Sequence, residues 1–289
     1  MPYEKSVHLL QGGVVLVECG PMRLVIEARI GQVSQTQQAM QAAEQAVRFL
    51  EGVAQARPFL GRGYRELISR VTDPLAFKMI TSVQAVGDDD LTPMAAVAGT
   101  MADAVADFLF NRGMTRVLVD NGGDVAIRSC DGKPVSVGIR PRVDKATIAH
   151  IVVLEPERTS WGVATSGLGG RSLTRGVLDA ATIVAADASL ADAAATAVAN
   201  AGCTADDAVI RKPAEALDPH TDIAGLDVTL RVGELAEESK RRAVDQALYR
   251  AEQLIADRII LGAFVACQGL SAMTSFIAER LITTSQKPG

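Results

Sequence analysis

The hydrophobic period of this chain changes near Arg116, and that change restricts the fold more than any other feature. In the region before it, from about residue 35, apolar residues recur at helical spacing, as in the alanine-rich stretch 39–50. From 117 to 127 they alternate on either side of a glycine turn, which is typical of an antiparallel hairpin. Because helices and strands follow one another without regular β-α-β alternation, the sequence predicts an α+β fold with mainly antiparallel sheet and packed helices.

Turn and capping residues mark where these elements begin and end. A hairpin is predicted first, with strands at 14–18 and 23–28. Ser34 and Gln37 have capping-box spacing before a helix at 35–55, and Asp73-Pro74 and Thr92-Pro93 each begin a further helix, the second ending near Gly113. The remaining predictions are strands at 135–139, 148–154 and 181–185, an alanine-rich helix from a Ser189 cap to Gly202, and a long helix at 234–255.

Charge and cysteine content exclude several classes of protein. The net charge is −5, from 34 acidic and 29 basic residues that are well mixed, so we expect no nucleic-acid partner. Four scattered cysteines without a Cys-x-x-Cys pair argue against a zinc ribbon and a disulfide framework. With no export-like N-terminus, and with the apolar stretch 259–267 too short for a bilayer, we expect one cytoplasmic domain over residues 1–289 and no membrane association.

A carboxylate and a hydroxyl on one helix face are the best candidate for metal chemistry. Asp192 and Thr196 lie four residues apart among alanines, so both oxygens would face one point. Such a sparse oxygen pair suits Mg²⁺ that also binds water and substrate phosphates. The alternative is structural: Ser189 and Asp192 have capping-box spacing, and Thr196 could bond back to the carbonyl of residue 192.

Two further segments are candidates for binding a nucleotide or flavin. The turn Asn121, Gly122, Gly123, Asp124 would let backbone amides approach a ligand, although a plain hairpin turn explains it equally well. The strand from Trp161 ends in small polar residues. These residues would line the edge of a site for an isoalloxazine ring or ribityl chain, or they are simply where an ordinary strand passes into a loop. Those end residues are Thr165, Ser166 and Gly167.

The segment 167–176 places Arg171, Ser172 and Arg175 among glycines, which indicates either a phosphate-binding loop or a solvated one. It is not a Walker loop, because no Gly-Lys-Ser/Thr ending is present. The histidines at 8, 150 and 220 are distant in sequence from all of these motifs. The sequence therefore identifies no catalytic base or nucleophile.

Taken in order, these motifs resemble those of ApbE proteins. The resemblance lies in residues 95–100, 121–124, 164–167 and 191–196. ApbE enzymes transfer FMN from FAD to a Ser or Thr of an acceptor protein, with Mg²⁺ at the diphosphate. The resemblance implies an ApbE-like fold, a flavin nucleotide (FAD or FMN) as ligand, Asp192 and Thr196 as metal ligands, and a backbone carbonyl near Ala98 as a third.

Over nearly the whole chain the sequence is similar to a cytoplasmic ApbE-like branch classed as an uncharacterised protein family. Residues 20–28, 92–99 and 172–181 carry this similarity. The branch is associated with sulfide assimilation into homocysteine, which implies an acceptor protein or a sulfur-metabolism protein as partner.

Two functions remain open from the sequence. The first is Mg²⁺-dependent FMN transfer from FAD. The second is a non-catalytic carrier, scaffold or flavin-binding partner in sulfide assimilation. The second rests on departures from the enzyme motifs: residues 96–100 lack the lysine of the Gly-Ile-Ala-Lys-Gly-like segment, and 167–177 replaces a stretch that contains a histidine.

Overall fold

The structure is a computed structural model that describes residues 4–63, 65, 71–145 and 147–283. The helices of this part are α1 Thr36–Leu60, α2 Pro74–Val86, α3 Val97–Phe110, α4 Ala188–Ala201, α5 Glu237–Ala256 and α6 Ser275–Arg280. The strands are β1 Lys5–Leu9, β2 Val15–Cys19, β3 Met22–Ile30, β4 Val33–Ser34, β5 Arg116–Asn121, β6 Asp124–Ser129, β7 Val135–Ile139, β8 His150–Leu154, β9 Ser160–Ser166, β10 Ala180–Ala185, β11 Val209–Pro213, β12 Asp227–Val232, β13 Gly262–Cys267, β14 Leu270–Met273 and β15 Leu281–Thr283.

The main sheet has the order β1-β2-β3-β5-β6-β9-β10-β13-β14, with β4 paired to β3. Every pair in it is antiparallel, as the alternating pattern predicted. A three-stranded sheet, β15-β8-β7, and the ribbon β11-β12 lie outside it. Mixed helices and antiparallel strands confirm the α+β class.

The two faces of the main sheet are covered differently. Alternate residues of β3 and β5 point to one face, where they are buried against α1 and α3, and α4 and α5 cover the rest of that face. The three-stranded sheet and α6 form a second apolar cluster on the opposite face, around Trp161 and Phe264. The helical layer carries the candidate site.

Small residues let the helices approach each other and the sheet closely. A Cβ added to Gly99 in α3 would lie 2.1 Å from the carbonyl oxygen of Ala188 at the start of α4. One added to Gly162 in β9 would lie 2.0 Å from the carbonyl oxygen of Asp187. The two glycines therefore place the beginning of α4 in direct backbone contact with α3 and with β9.

The predicted cap of α2 is correct, since the Asp73 carboxylate accepts a hydrogen bond from the amide of Ala76 at 2.8 Å. The capping prediction for Ser34 is wrong: α1 begins after Gln35 without a side-chain cap, and the Ser34 hydroxyl donates to the carbonyl of Gly12. Thr92 does not cap either, because its hydroxyl donates to the Asp222 carboxylate. Both hydroxyls therefore bond to residues distant in sequence instead of capping a helix.

One helical segment of the described residues, Pro93–Phe110, has the length and hydropathy of a short membrane span, with 18 residues and a mean hydropathy of 1.3. The segment consists of a 3₁₀ turn followed by α3. More than half of it is buried inside the fold, against α1, α4 and β5. A core helix of a globular fold has the same composition, so hydropathy alone does not indicate a span here.

Candidate functional site

Two adjoining cavities, of about 250 and 230 Å³, open beside the beginnings of α3 and α4. They share a wall that consists of Val97, Ala98, Asp124, Arg171 and Ser172. We call the larger one the acidic cavity, because Asp192 and Thr196 line it, and the smaller one the apolar cavity. Segments at 92–98, 121–124, 165–172 and 192–200 thus meet at one place.

Asp192 and Thr196 face the acidic cavity from one side of α4, as their spacing predicted. The Asp192 carboxylate accepts a hydrogen bond from the backbone amide of Gly99 at 2.9 Å. This bond ties α4 to the first turn of α3 and places Ala98 in the same wall. The three oxygen-bearing residues named from the sequence are therefore neighbours.

The capping alternative for Asp192 is not what the fold adopts. Asp187 is the N-cap of α4 and accepts from the amide of Leu190 at 2.9 Å, so the predicted Ser189 cap is wrong. The amide of Ser189 donates instead to the buried carboxylate of Asp103, at 2.9 Å. Since other acceptors satisfy the first amides of α4, the Asp192 carboxylate is not required there.

Asn121 is buried, lines the apolar cavity and makes two hydrogen bonds within the protein. Its amide nitrogen donates to the carbonyl of Ala98 at 3.1 Å, and its side-chain oxygen accepts from the amide of Arg23 at 3.3 Å. These bonds hold the carbonyl that the resemblance implied as a metal ligand. A carbonyl oxygen has two lone pairs, so this bond leaves one for a cation.

The glycine turn between β5 and β6 is both a hairpin turn and part of the site. Gly122 and Gly123 have φ of +72° and +116°, and Asp120 accepts from the amide of Gly123 at 2.7 Å. Gly122 lies against the guanidinium of Arg171, to which an added Cβ would approach within 3.4 Å. The turn therefore positions Asp124 and leaves room for the arginine.

Asp124 and Asp192 form an acidic corner at the boundary of the two cavities. Burial, followed by the charges of Asp192 and Asp120, raises the pKa of Asp124 well above its ordinary value. Burial also raises the pKa of Asp192 from 3.8 to about 7, against the opposing hydrogen bond from Gly99. Two partly desolvated carboxylates at one point favour the arrival of a cation or proton.

The end of β9 and the following loop close the apolar cavity. The residues predicted as cofactor contacts there all line it: Thr165, Ser166, Gly167 and Ser172. The Thr165 hydroxyl is shared with Thr182 at 2.9 Å. Gly167 has φ of +150°, and a Cβ there would lie 2.7 Å from the carbonyl of residue 179, so the chain turns where no side chain fits.

The sequence model of the family described as "AbpE bacteria" matches residues 7–273. The chain belongs to this AbpE family. The ApbE-like assignment made from the ordered motifs is thereby confirmed. The match extends from β1 to β14, so it includes every segment that lines the two cavities.

Curated relatives of this AbpE-family protein include UPF0280 proteins of archaea. That of Methanosarcina barkeri is 41% identical over 120 residues, which is 41% of this chain and 46% of the relative. That of Methanocella arvoryzae is 42% identical over 110 residues, covering 37% and 43%. The matched stretch spans less than half the length of each of these two relatives.

Among solved structures, the flavinyl transferase ApbE of Pseudomonas stutzeri in its apo form is 15% identical with a TM-score of 0.49, over 97% of both chains. The ApbE protein of Thermotoga maritima is 14% identical with a TM-score of 0.47, over 96% of this chain and 99% of that one. The chemistry of the AbpE-family protein must therefore be argued from its own residues.

Several lining residues of the acidic cavity were not identified as ligands from the sequence. Asn200 continues the face of Asp192 and Thr196 by one more turn, and its side-chain oxygen accepts from the amide of Arg175 at 3.0 Å. Helical spacing could have found Asn200. Asp222 comes from the β11–β12 connection and pairs with Thr92, a contact that no local pattern indicates.

The donor set restricts which metal could bind. Among the described residues, no group of three or more His, Cys, Asp or Glu side chains is arranged to hold a metal ion. A carboxylate, a hydroxyl and a carbonyl are hard oxygen donors that suit Mg²⁺, which keeps water or phosphate in its remaining positions. The residues at Asp192, Thr196 and Ala98 fit that ion, and they do not fit a structural zinc.

Proposed function

We propose that this AbpE-family protein binds FAD across the two cavities, with Mg²⁺ joining its diphosphate to the acidic corner. The observation that carries this proposal is the acidic corner at the junction between a polar and an apolar cavity. Met22, Leu50 and Met101 in the apolar cavity suit a flat ring system, whereas the acidic cavity suits phosphate and ribose.

Each part of the wall would have a distinct role. Asp192, Thr196 and the Ala98 carbonyl would hold Mg²⁺, and the Gly99 amide and Asn121 side chain orient two of these oxygens. Once bound, Mg²⁺ would neutralise the diphosphate and stabilise the charge on a departing AMP phosphate.

The opposite wall supplies positive charge. Arg171 and Arg175 line the acidic cavity from the 167–179 loop. Arg171 is held by the carbonyl of Pro21 at 3.1 Å, and Arg175 by an ion pair with Asp90. Guanidinium groups favour phosphate oxygens, so a diphosphate would lie between these arginines and the metal corner.

We further propose that the chemistry at this site is transfer of FMN to a Ser or Thr of an acceptor protein. A flavin-binding protein without transferase activity is the second candidate, and a specific observation favours it. No histidine lines either cavity among the described residues, and residues 96–100 carry no lysine. A cytoplasmic location and a part in sulfide assimilation are proposals that rest on the branch resemblance.

Titration with FAD tests the binding proposal. We expect Mg²⁺ to tighten FAD binding, and Asp192→Asn to weaken binding in Mg²⁺ about tenfold, which corresponds to ~1.4 kcal/mol. Asp245→Asn is the matched control, because that carboxylate is exposed on α5, away from both cavities. Equal, metal-independent FAD affinity in all three proteins would refute the metal site.

A separate assay distinguishes the two candidates. The protein is incubated with FAD, Mg²⁺ and an acceptor that carries Asp-x-x-Ser/Thr-Gly-Ala-Ser/Thr, the target motif that the resemblance to ApbE proteins implies. Release of AMP together with flavin covalently bound to the acceptor supports the transferase. Intact FAD after long incubation, from a protein that binds FAD with Mg²⁺, supports the non-catalytic candidate.

A further inference from the structure

A long groove runs between the main sheet and the edge of the three-stranded sheet, on the face opposite the helices. It consists of two adjoining cavities of about 690 and 250 Å³, which share Glu27, Leu118 and Ser136 in their walls. One end of the groove reaches Gly122, Thr165 and Arg171, which also line the apolar cavity. The groove therefore leads directly into the candidate flavin site.

The floor of the groove is an incompletely covered sheet face. Val25, Leu118 and Val125 lie on three neighbouring strands and are only half-buried. Residues further across the same face, such as Ile127 and Trp161, are fully covered by the three-stranded sheet. The small sheet thus leaves the aliphatic floor partly uncovered.

The wall above this floor is the free edge of β7. In the described part of the chain β7 pairs with β8 alone, so its other edge has no strand partner. Ser136, Val137 and Gly138 of β7 line the groove. An edge strand presents unpaired amides and carbonyls at alternate residues, which is the geometry that adds an extended peptide as a further strand.

The charges along the groove are unbalanced at the end nearest the flavin site, where, among the described residues, Arg140 and Arg171 lie beside a single carboxylate, that of Asp120. Arg23 pairs with Glu18 at 3.3 Å, and Glu27 pairs with Arg29. Arg140 is half-buried and makes no hydrogen bond or ion pair with any described residue. An occupant that places a carboxylate at this end would complement Arg140.

We propose that β7 binds an extended segment of a partner protein by strand addition, with aliphatic side chains on the Val25–Leu118 floor and a carboxylate at Arg140. The added strand would complete the small sheet over the exposed floor. Its acidic end would come to the mouth of the apolar cavity, beside Arg171. That this segment presents an acceptor hydroxyl to flavin rests on the proposed function, whereas the docking itself does not.

The test selects peptides without assuming a partner. A phage library of random ten-residue peptides is panned against the full protein, and the most enriched peptide is labelled and measured by fluorescence anisotropy. We expect alternating aliphatic residues with an Asp or Glu near one end. Arg140→Glu should weaken binding about tenfold or more, while Arg241→Glu, an exposed arginine on α5, should leave binding unchanged.

Two further arms separate strand addition from a charge effect and from misfolding. The same peptide with alternate amides N-methylated should lose binding, because it cannot pair with β7. Arg140→Gln should also weaken binding, at a melting temperature equal to that of the wild type. No enriched peptide, equal binding to Arg140→Glu, or undiminished binding of the methylated peptide would each overturn the proposal.

The outcome is independent of the flavin proposal. FAD titration should be unchanged in Arg140→Glu, and peptide binding should be unchanged in Asp192→Asn. Loss of peptide binding in the first with retained FAD affinity supports the groove alone. Loss of both ligands in Arg140→Glu would instead show that the arginine supports the whole site, and would overturn a separate docking surface.

Discussion

Replacing Gly99 by alanine should damage both the fold and the candidate metal corner. The added methyl group would lie 2.1 Å from the carbonyl oxygen of Ala188 and 2.9 Å from the Cβ of Asp192, where ordinary contacts begin at 3.4 Å. The nearer atom is backbone of the facing helix, so no side-chain rotation relieves the overlap. Helices α3 and α4 must separate by about 1 Å in consequence.

The magnitude follows from two contributions. Overpacking of this kind costs about 1–3 kcal/mol. Separation also stretches the 2.9 Å bond from the Gly99 amide to Asp192, and a hydrogen bond to a charged group contributes about 1.5–3 kcal/mol. Because the two costs overlap, we expect a loss of about 2–4 kcal/mol, or roughly 4–16 °C in melting temperature for a chain of this size.

Gly52→Ala is the matched control. Gly52 lies inside α1, and a Cβ added there meets nothing within 4 Å. The same substitution should therefore raise stability by up to about 1 kcal/mol, because alanine is the better helix former. Thermal unfolding followed by circular dichroism, together with FAD titration in Mg²⁺, measures both proteins. A Gly99→Ala protein that melts at or above the wild type, with metal-dependent FAD binding intact, would refute the close contact of α3 and α4.

Three further predictions concern carboxylates. Asp103→Asn should lower the free energy of unfolding in urea by about 3 kcal/mol, because the buried Arg128 loses its buried carboxylate partner and the amide of Ser189 loses a charged acceptor. Asp107→Asn should lower it by about 1 kcal/mol or less, because that carboxylate is half-exposed. A smaller loss for Asp103 than for Asp107 would contradict this order. Because the pKa of Asp192 is raised to about 7, the folded metal-free protein holds a proton there more tightly than the unfolded chain does. This contribution to stability should be complete below pH 3.8 and should be lost as pH rises through about 7. Added Mg²⁺ should restore the melting temperature mainly above about pH 7. Melting curves that give the same pH profile for Asp192→Asn would count against it. Asp73→Ala should lower stability by about 1 kcal/mol through the lost cap of α2, measurable by the same unfolding assay.

Local sequence patterns predicted the elements that depend on local forces. The period of the apolar residues gave the class of most strands and helices, and the glycine turn gave the β5–β6 hairpin with its residues in register. The Asp192 and Thr196 face followed from helical spacing alone. Seven strands of the described residues were not predicted, although one of them, β12, alternates polar and apolar residues along its whole length: β1, β4, β11, β12, β13, β14 and β15.

Capping was less predictable, because a hydroxyl bonds to whatever acceptor the fold brings near. Ser34 and Thr92 have good capping positions, yet each bonds to a residue distant in sequence, Gly12 and Asp222 respectively. Ser189 shares its hydroxyl with Ser82 and Thr100 in a buried cluster. A side-chain cap contributes about 1 kcal/mol, roughly as much as one other hydrogen bond, so an acceptor that the fold brings near can replace it.

The sequence by itself determined that this chain has an oxygen pair on an alanine-rich helix, a glycine turn and a small-residue strand end. Only the tertiary structure decided that these become one site, because Gly99, Asn121 and Asp103 join α3, α4 and the β3–β5 region by bonds across 23 to 98 residues. The β7 groove arises in the same way, from how far one sheet extends over another. Spacing along a chain determines which residues share a face, whereas packing determines what that face meets.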